Sequence, residues 1–408
     1  MVEVRYLTAG QAAEELGVSL ATLYAYVSRG MIRSEATGRS RRRRYRAEDI
    51  RRLKERKERR RDPDGVVEGA LHWGTPVMES GITLIADGKL YYRGRDVAAL
   101  AVGSAIEEVA ALIWTGDPAS SGDLFPREWP GLSPRLRIAL GTLEGLSPVE
   151  TFQVLLPVAE AGDPAAYDLR PPAVARTGAH IIRLMTSVAA EDAEEAELAE
   201  GLAETLARGW CPQNPGAETL LNSALILCAD HELPVSTFAA RCVASSEATP
   251  YAVVAAGLAA LGGVRHGGQV ELVEVFLREV EAVGEARRAI TGRLRRGEEI
   301  PGFGHSLYPE GDPRGSELLR LIGAAYPNSP AVALTDAVAA GALELMGERP
   351  TVDLGLVTLA RALGIPPGGA IALFALGRTI GWIGHAIEQY ESDSLIRPRA
   401  RYVGEQPI

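Results

Sequence analysis

Four positions stand where the chain breaks its regular patterns and where side-chain chemistry could be done. The first lies in Pro301 to Gly315, fifteen residues holding four Gly, three Pro, one His, one Asp and one Arg. Glycine and proline at this density predict irregular backbone, since they interrupt helix and strand alike. A loop stiffened by proline and allowed close to a ligand by glycine suits a catalytic imidazole at His305, and Arg314 could clamp a carboxylate beside it. A surface turn that happens to hold a histidine would have the same composition. The second is His231, in Ala229-Asp230-His231-Glu232-Leu233-Pro234, after an Ala/Leu-rich segment. The third is His266, between the pairs Gly262-Gly263 and Gly267-Gly268, and the fourth is Asp353, in Pro350-Thr351-Val352-Asp353-Leu354-Gly355. The chain has six His, and these three fall beside Gly or Pro rather than on apolar helix faces, where a histidine is ordinarily a packing residue. Imidazoles and a carboxylate together are the groups of proton transfer.

The elements that must carry them are mostly helices. At 408 residues the chain exceeds one ordinary core, so two or three domains are expected. It is 46% hydrophobic but only 6% aromatic, with mean hydropathy near zero and Ala and Leu abundant, which favours a soluble helical protein. No uninterrupted apolar run reaches the about 18 residues of a membrane span, and the first residues lack the layout of a secretion signal. Cys211, Cys228 and Cys242, odd in number and without metal-ligand spacing, fit buried reduced thiols in a cytoplasmic protein. Thr83 to Val97 predicts a hairpin turning at Asp87-Gly88. Helical spacing follows at 105–115, 148–161, 173–190, 193–208, 218–230 and 235–246.

Charge divides the chain. Residues 1–62 carry 17 Lys+Arg against 9 Asp+Glu, and the remainder 26 against 44. A basic head on an acidic body implies modules with different partners. In the head, Thr8 and Gln11 fit a capping box, Ala12, Ala13 and Leu16 one apolar face, Gly17 a stop, and Ser19 the cap of a second helix over 20–29. Arg41-Arg42-Arg43-Arg44-Tyr45-Arg46 follows, then a closing helix from Ala47 to about Arg60, and a Pro/Gly joint at 61–65. This arrangement resembles the winged helix-turn-helix of the MerR and excisionase-like family. The resemblance implies duplex DNA as a partner, with Ser19, Thr22 and Tyr26 toward the major groove and Arg41, Arg42, Arg43 and Arg44 on phosphates. A module kept only for dimerisation or partner contact would read the same way.

The body resembles the citrate synthase family. Gly302-Phe303-Gly304-His305 with Asp312-Pro313-Arg314, Ala229-Asp230-His231-Glu232, His266-Gly267-Gly268 and Pro350-Thr351-Val352-Asp353 occur in that family's order. Tyr92-Arg93-Gly94, Gly377-Arg378-Thr379-Ile380-Gly381-Trp382 and Arg397-Pro398-Arg399 add to it, and the similarity spans roughly 67–408. It implies a mainly α fold, with a large domain at 67–266 and 361–408 and a small domain at 267–360 that closes over substrates. It implies an acyltransferase that condenses acetyl-CoA with oxaloacetate and water to citrate and CoA, without a further cofactor or metal. Asp353 would be the base, His266 the donor to the thioester oxygen, and His305 the acid at the keto oxygen. His231, Arg314 and Arg378 would bind oxaloacetate, Gly302, Phe303 and Gly304 coenzyme A, and Arg397 would cross the interface of a homodimer.

The pattern departs from the family on the coenzyme A side. Ser306 and Pro309 stand where the family usually has cations, and Gln269-Val270 replaces Ala-Asn; Arg265 or Arg293 could compensate. Two alternatives follow. One is a 2-methylcitrate synthase, because propionyl differs from acetyl by one methylene, worth only about 1–3 kcal/mol in a pocket. The other is a DNA-binding regulator whose synthase-like body senses a metabolite.

Overall fold

The computed structural model describes residues 78–127, 131–190, 201–400 and 402–405, with 6–16, 18, 22–23, 26–27, 32, 34–36, 43–46 and 50 before them. The chain divides into two units, Met1–Glu79 and Ser80–Ile408; the joint expected at 61–65 lies outside the described residues.

In the first unit, helix α1 (Ala9–Glu15) begins with the expected capping box: the Thr8 N–H donates to Gln11 Oε1 at 3.0 Å, and the Gln11 N–H to Thr8 Oγ1 at 3.4 Å. Ala12, Ala13 and Leu16 pack with Leu23, Ile32, Tyr45 and Ile50 into a small apolar core. Strands β1 (Tyr6–Leu7), β2 (Ser34–Ala36) and β3 (Arg43–Arg46) form an antiparallel sheet in the order β1-β3-β2. Strand alternation turns Tyr45 inward and leaves Arg44 exposed. Thr22 and Tyr26 are helical and half-buried, and Tyr26 packs against that core. Ser19, Arg41, Arg42, the side chain of Arg43 and most of the closing helix lie outside the described residues.

The second unit opens on an antiparallel meander, β4 (Thr83–Ala86), β5 (Lys89–Tyr92) and β6 (Arg95–Asp96). Asp87 and Gly88 both have positive φ (52° and 72°), the two-residue turn that an Asp-Gly pair favours. Helices follow: α2 (Val97–Gly103), α3 (Ile106–Thr115), α4 (Ser121–Leu124), α5 (Pro134–Leu140), α6 (Pro148–Glu160), α7 (Pro171–Ala189), α8 (Leu202–Trp210), α9 (Ala217–Cys228) and α10 (Val235–Ala244). After them come α11 (Pro250–Leu261), α12 (Gln269–Val283), α13 (Ala286–Arg296), α14 (Pro313–Ala325), α15 (Pro330–Met346), α16 (Val352–Leu363) and α17 (Gly369–Ser392). Many starts are written in the sequence as a capping residue followed by proline: Ser133, Ser147, Thr249, Asp312 and Ser329 each accept a backbone N–H of the first turn.

Helix α17 organises the body. It packs against α7, α9, α10 and α11, and its side chains from Ile371 to Ile387 are almost all buried. By length and composition it could cross a membrane, yet 94% of its apolar window is buried inside the protein, around Arg378 and His385. Helices α12 to α16 pack on one another and meet the rest where α14 touches α9 and α16 touches α17. That seam holds the residues singled out above.

Candidate active site

The Pro301–Gly315 stretch is irregular only up to Gly311. Asp312 caps α14, so Arg314 sits in the first turn of a helix rather than in the loop. The loop is held by a short antiparallel contact with the residues before α16. The Gly304 N–H donates to the Arg349 carbonyl at 3.0 Å, the Thr351 N–H to the Gly302 carbonyl at 2.9 Å, and Phe303 pairs with Pro350. Gly302 and Gly304 both have positive φ (87° and 76°), and a Cβ on Gly304 would meet the Glu348 carboxyl at 2.9 Å. The pairing fixes His305 relative to Asp353 although 48 positions separate them.

Asp312 strengthens the tie. Arg314 Nε and Nη2 donate to its two oxygens at 3.0 and 2.9 Å, and the Val352 N–H donates to its Oδ2 at 3.1 Å. Asp312 is 1% and Arg314 4% exposed. Burial works against both charges, but the bidentate pair outweighs it, holding the carboxyl below and the guanidinium above their ordinary ranges.

His231, His305 and Tyr308 form one cluster. His231 Nε2 and Tyr308 Oη are 2.8 Å apart, and the His231 ring meets His305 edge-on at 5.3 Å between centroids. The Leu307 N–H donates to His305 Nδ1 at 3.2 Å, which leaves the neutral ring's proton on Nε2. Burial, then the cations Arg314 and Arg378, push His231 well below the ordinary imidazole range. His305 is lowered by burial first and by Arg314 second.

His266 follows α11 and precedes α12. Its Nε2 is 2.7 Å from Ser236 Oγ, which lies 3.4 Å from the Trp382 indole N–H. The indole can only donate, so it donates to the serine oxygen, and the serine hydroxyl can then either donate to Nε2 or accept from it. Its pKa is pushed down to about 4, by burial first and then by Arg378 and Arg314.

Asp353 lies in the first turn of α16 and accepts a hydrogen bond from Thr351 Oγ1 at 2.9 Å. It keeps some accessible surface but is deeply enclosed by protein atoms. Burial raises its pKa and prevails over the lowering from Thr351 and Arg314. Arg378 is 1% exposed and lies over the Phe374 ring at 4.9 Å. Its Nε donates to the Cys228 carbonyl at 3.0 Å, while its buried Nη2 makes no hydrogen bond among the described residues. A buried, unsatisfied guanidinium nitrogen is costly unless an anion completes it.

A cleft of about 690 Å³ opens beside His305, lined among others by Gly302, Phe303, Gly304, Ser306, Pro309 and Arg349. Arg293, considered from sequence as a compensating cation, is engaged with Glu279 at 2.6 Å and stacked over Phe276. Arg349, not singled out from sequence, lines the cleft instead. Arg397 stands apart: it is exposed after the last helix and makes no hydrogen bond to the cluster among the described residues. Tyr308, Ser236 and Trp382 were missed as site residues. The signals were slight: Tyr308 is three residues past His305, and Ser236 opens the helix after His231. Among the described residues no group of His, Cys, Asp or Glu converges as a metal site requires.

Comparison with known proteins supplies the frame for this geometry. The family described as citrate synthase, C-terminal domain, matches residues 70–399, and a helix-turn-helix domain matches residues 6–58. Citrate synthase 2 of Bacillus subtilis is 29% identical over 81% of this chain and 94% of its own length. The citrate synthase of Haloferax volcanii is 31% identical over 82% and 95%. 2-Methylcitrate synthase 2 of Corynebacterium glutamicum is 26% identical over 78% and 89%. Among solved structures, citrate synthase from Thermotoga maritima superposes with a TM-score of 0.70 at 26% identity, covering 82% of this chain and 95% of that one. The chain therefore belongs to the citrate synthase family of acyltransferases, and carries a helix-turn-helix domain at its N-terminus.

Proposed function

We propose that this protein condenses acetyl-CoA with oxaloacetate and water to give citrate and CoA. The observation that carries the reading is the pair of buried guanidinium groups, Arg314 and Arg378, beside neutral imidazoles, with Arg378 Nη2 left unsatisfied. A small dicarboxylate with a keto oxygen matches that set of donors.

The proton positions suit the chemistry. Asp353, its pKa raised by burial, removes an α-proton from the thioester methyl. His266, as a neutral ring, donates to the thioester oxygen as the enolate forms. The α-carbon attacks the keto carbon, the new C–C bond closes, and the former keto oxygen takes the Nε2 proton of His305. Water then cleaves the thioester and releases CoA. His231, steadied by Tyr308, and Arg314 and Arg378 hold the keto acid. Gly302, Phe303 and Gly304 place the cleft beside His305, where the acyl-CoA enters. Residues 267–360 act as the smaller domain that closes over both substrates, and Arg397 completes the site of a partner subunit in a homodimer. No further cofactor takes part, and the free cysteines suit a cytoplasmic setting.

Propionyl-CoA is the second reading, favoured by the similarity to 2-methylcitrate synthase 2 of Corynebacterium glutamicum. Thiol release measured with each acyl-CoA in the presence of oxaloacetate separates the two by the ratio of kcat/KM. Asp353→Ala is expected to lose turnover by about 10²–10⁴-fold while oxaloacetate binding is retained. Oxaloacetate binding without turnover of either thioester by the unaltered protein would overturn the enzyme reading and favour a metabolite sensor.

A further inference from the structure

A buried polar chain behind the site is used by none of the steps above. Asp230 and His385 are 0%, Gln389 1% and Arg241 3% exposed, and Glu388 is partly buried beside them. Burying charge at this density is costly unless the groups are paired and hydrogen-bonded. The connections run in one direction. Arginine cannot accept, so Arg241 Nη1 donates to His385 Nδ1 at 3.4 Å. The ring's proton then sits on Nε2, 3.4 Å from Asp230 Oδ2 and 3.3 Å from Oδ1. Thr83 Oγ1 donates to the same Oδ2 at 2.5 Å, and the Asp230 N–H donates to the Tyr92 hydroxyl at 3.0 Å. Asp230 is bonded through one peptide to His231.

The other end of the chain leads to Arg397. Arg241 Nε donates to Gln389 Oε1 at 3.0 Å, and its Nη1 pairs with Glu388 at 3.3 Å. Gln389 Nε2 donates to the Ser394 carbonyl at 2.8 Å and to Ser392 Oγ at 3.1 Å. The Ile396 N–H, adjacent to Arg397, donates to Ser245 Oγ at 3.1 Å. Three polar residues of one helix and its cap thus each hold a different part of the site. Ser236 holds His266, Arg241 holds the His231 loop through His385, and Ser245 holds the Arg397 segment.

We propose that Arg241, His385 and Gln389 are positioning residues for keto-acid binding, with α10 as the rigid gauge that registers His231 and the Arg397-bearing segment to each other. This rests on the reading of His231 and Arg397 as oxaloacetate ligands. Because Arg397 serves the partner's site, the same chain ties each subunit's own histidine to the arginine that it lends.

The test uses the full-length protein and calorimetric titration with oxaloacetate, alongside KM for each substrate. Gln389→Glu keeps the acceptor for Arg241 but loses the N–H donors to Ser394. It is expected to weaken oxaloacetate binding and raise its KM at least fivefold. The KM for acyl-CoA should stay unchanged, while the melting temperature should fall, because a buried carboxylate then faces the Ser394 carbonyl. Ser245→Ala, a smaller lesion on the same segment, should weaken binding two- to threefold and serves if the first variant does not fold. In an Arg397→Ala background, Gln389→Glu should add no further loss. Unchanged oxaloacetate binding in both single variants, or a full additional loss in the Arg397→Ala background, would overturn the positioning role while leaving the enzyme reading intact. An unaltered protein that binds no oxaloacetate would sink both.

Discussion

In the proposed reading His266 works as a neutral ring, and its surroundings enforce that neutrality at a thermodynamic cost. Its pKa is about 4 in the folded protein, against an ordinary value of 6.5. Between those values the unfolded chain binds a proton that the folded chain refuses. The stability is therefore complete above about pH 6.5 and declines as pH falls toward 4, by at most about 3 kcal/mol from this ring. His231 and His305 act in the same sense, whereas Asp353, raised by burial, acts in the opposite one. His266→Asn should therefore flatten the decline in urea-unfolding free energy between pH 7.5 and 5; an unchanged slope would mean that the ring is protonated in the fold. The site was legible in the chain wherever chemistry needed a break in regular structure, as at His231, His266 and His305 beside glycine or proline. It was not legible for Tyr308, Ser236 or Trp382, because their roles arise from the direction of a hydrogen bond. Spacing along the chain does not carry that information.

At the scale of elements, close backbone approach decides where the site residues sit. Helix α17 reaches the Asp230 loop at Gly381, whose N–H donates to the Ala229 carbonyl at 2.9 Å. A Cβ there would meet Ala229 O at 2.5 Å and Asp230 Oδ1 at 2.4 Å, contacts that neither backbone nor a pinned carboxylate can relieve easily. Gly381→Ala should destabilise the protein by about 1–3 kcal/mol and shift His231, read as a lowered melting temperature with a raised KM for oxaloacetate. A variant with both values unchanged would show that the loop can yield. The helices were readable from their apolar spacing: the segments expected at 105–115, 148–161 and 235–246 appear as Ile106–Thr115, Pro148–Glu160 and Val235–Ala244. Arg314 was misplaced into a loop because Gly and Pro dominate its neighbourhood, although Asp312-Pro313 is itself a helix start. Packing around α16 raises the Asp353 carboxyl above its ordinary range, burial prevailing over the bond from Thr351 and the charge of Arg314.

Over the whole molecule, charge distinguishes the two modules. The first 62 residues have a surplus of eight positive charges and the rest a surplus of 18 negative ones, so the net field that attracts a duplex comes from the head. Arg44 is exposed on β3, opposite Glu35 of β2, and the sequence from Arg41 to Arg46 holds five arginines. If those five neutralise phosphates, the logarithm of the DNA binding constant should fall with the logarithm of salt at a slope of about −4.5. Affinity would drop about 10²–10³-fold between 50 and 200 mM salt. Arg44→Ala should weaken binding to every duplex alike and make the slope shallower by about one, because a phosphate contact carries no base preference. Thr22 and Tyr26 test the other half of the interface. Thr22→Ala should alter preference between duplexes while leaving the salt slope intact. A full-length protein that shifts no duplex at low salt would leave the head a protein-contact module on an acyltransferase body.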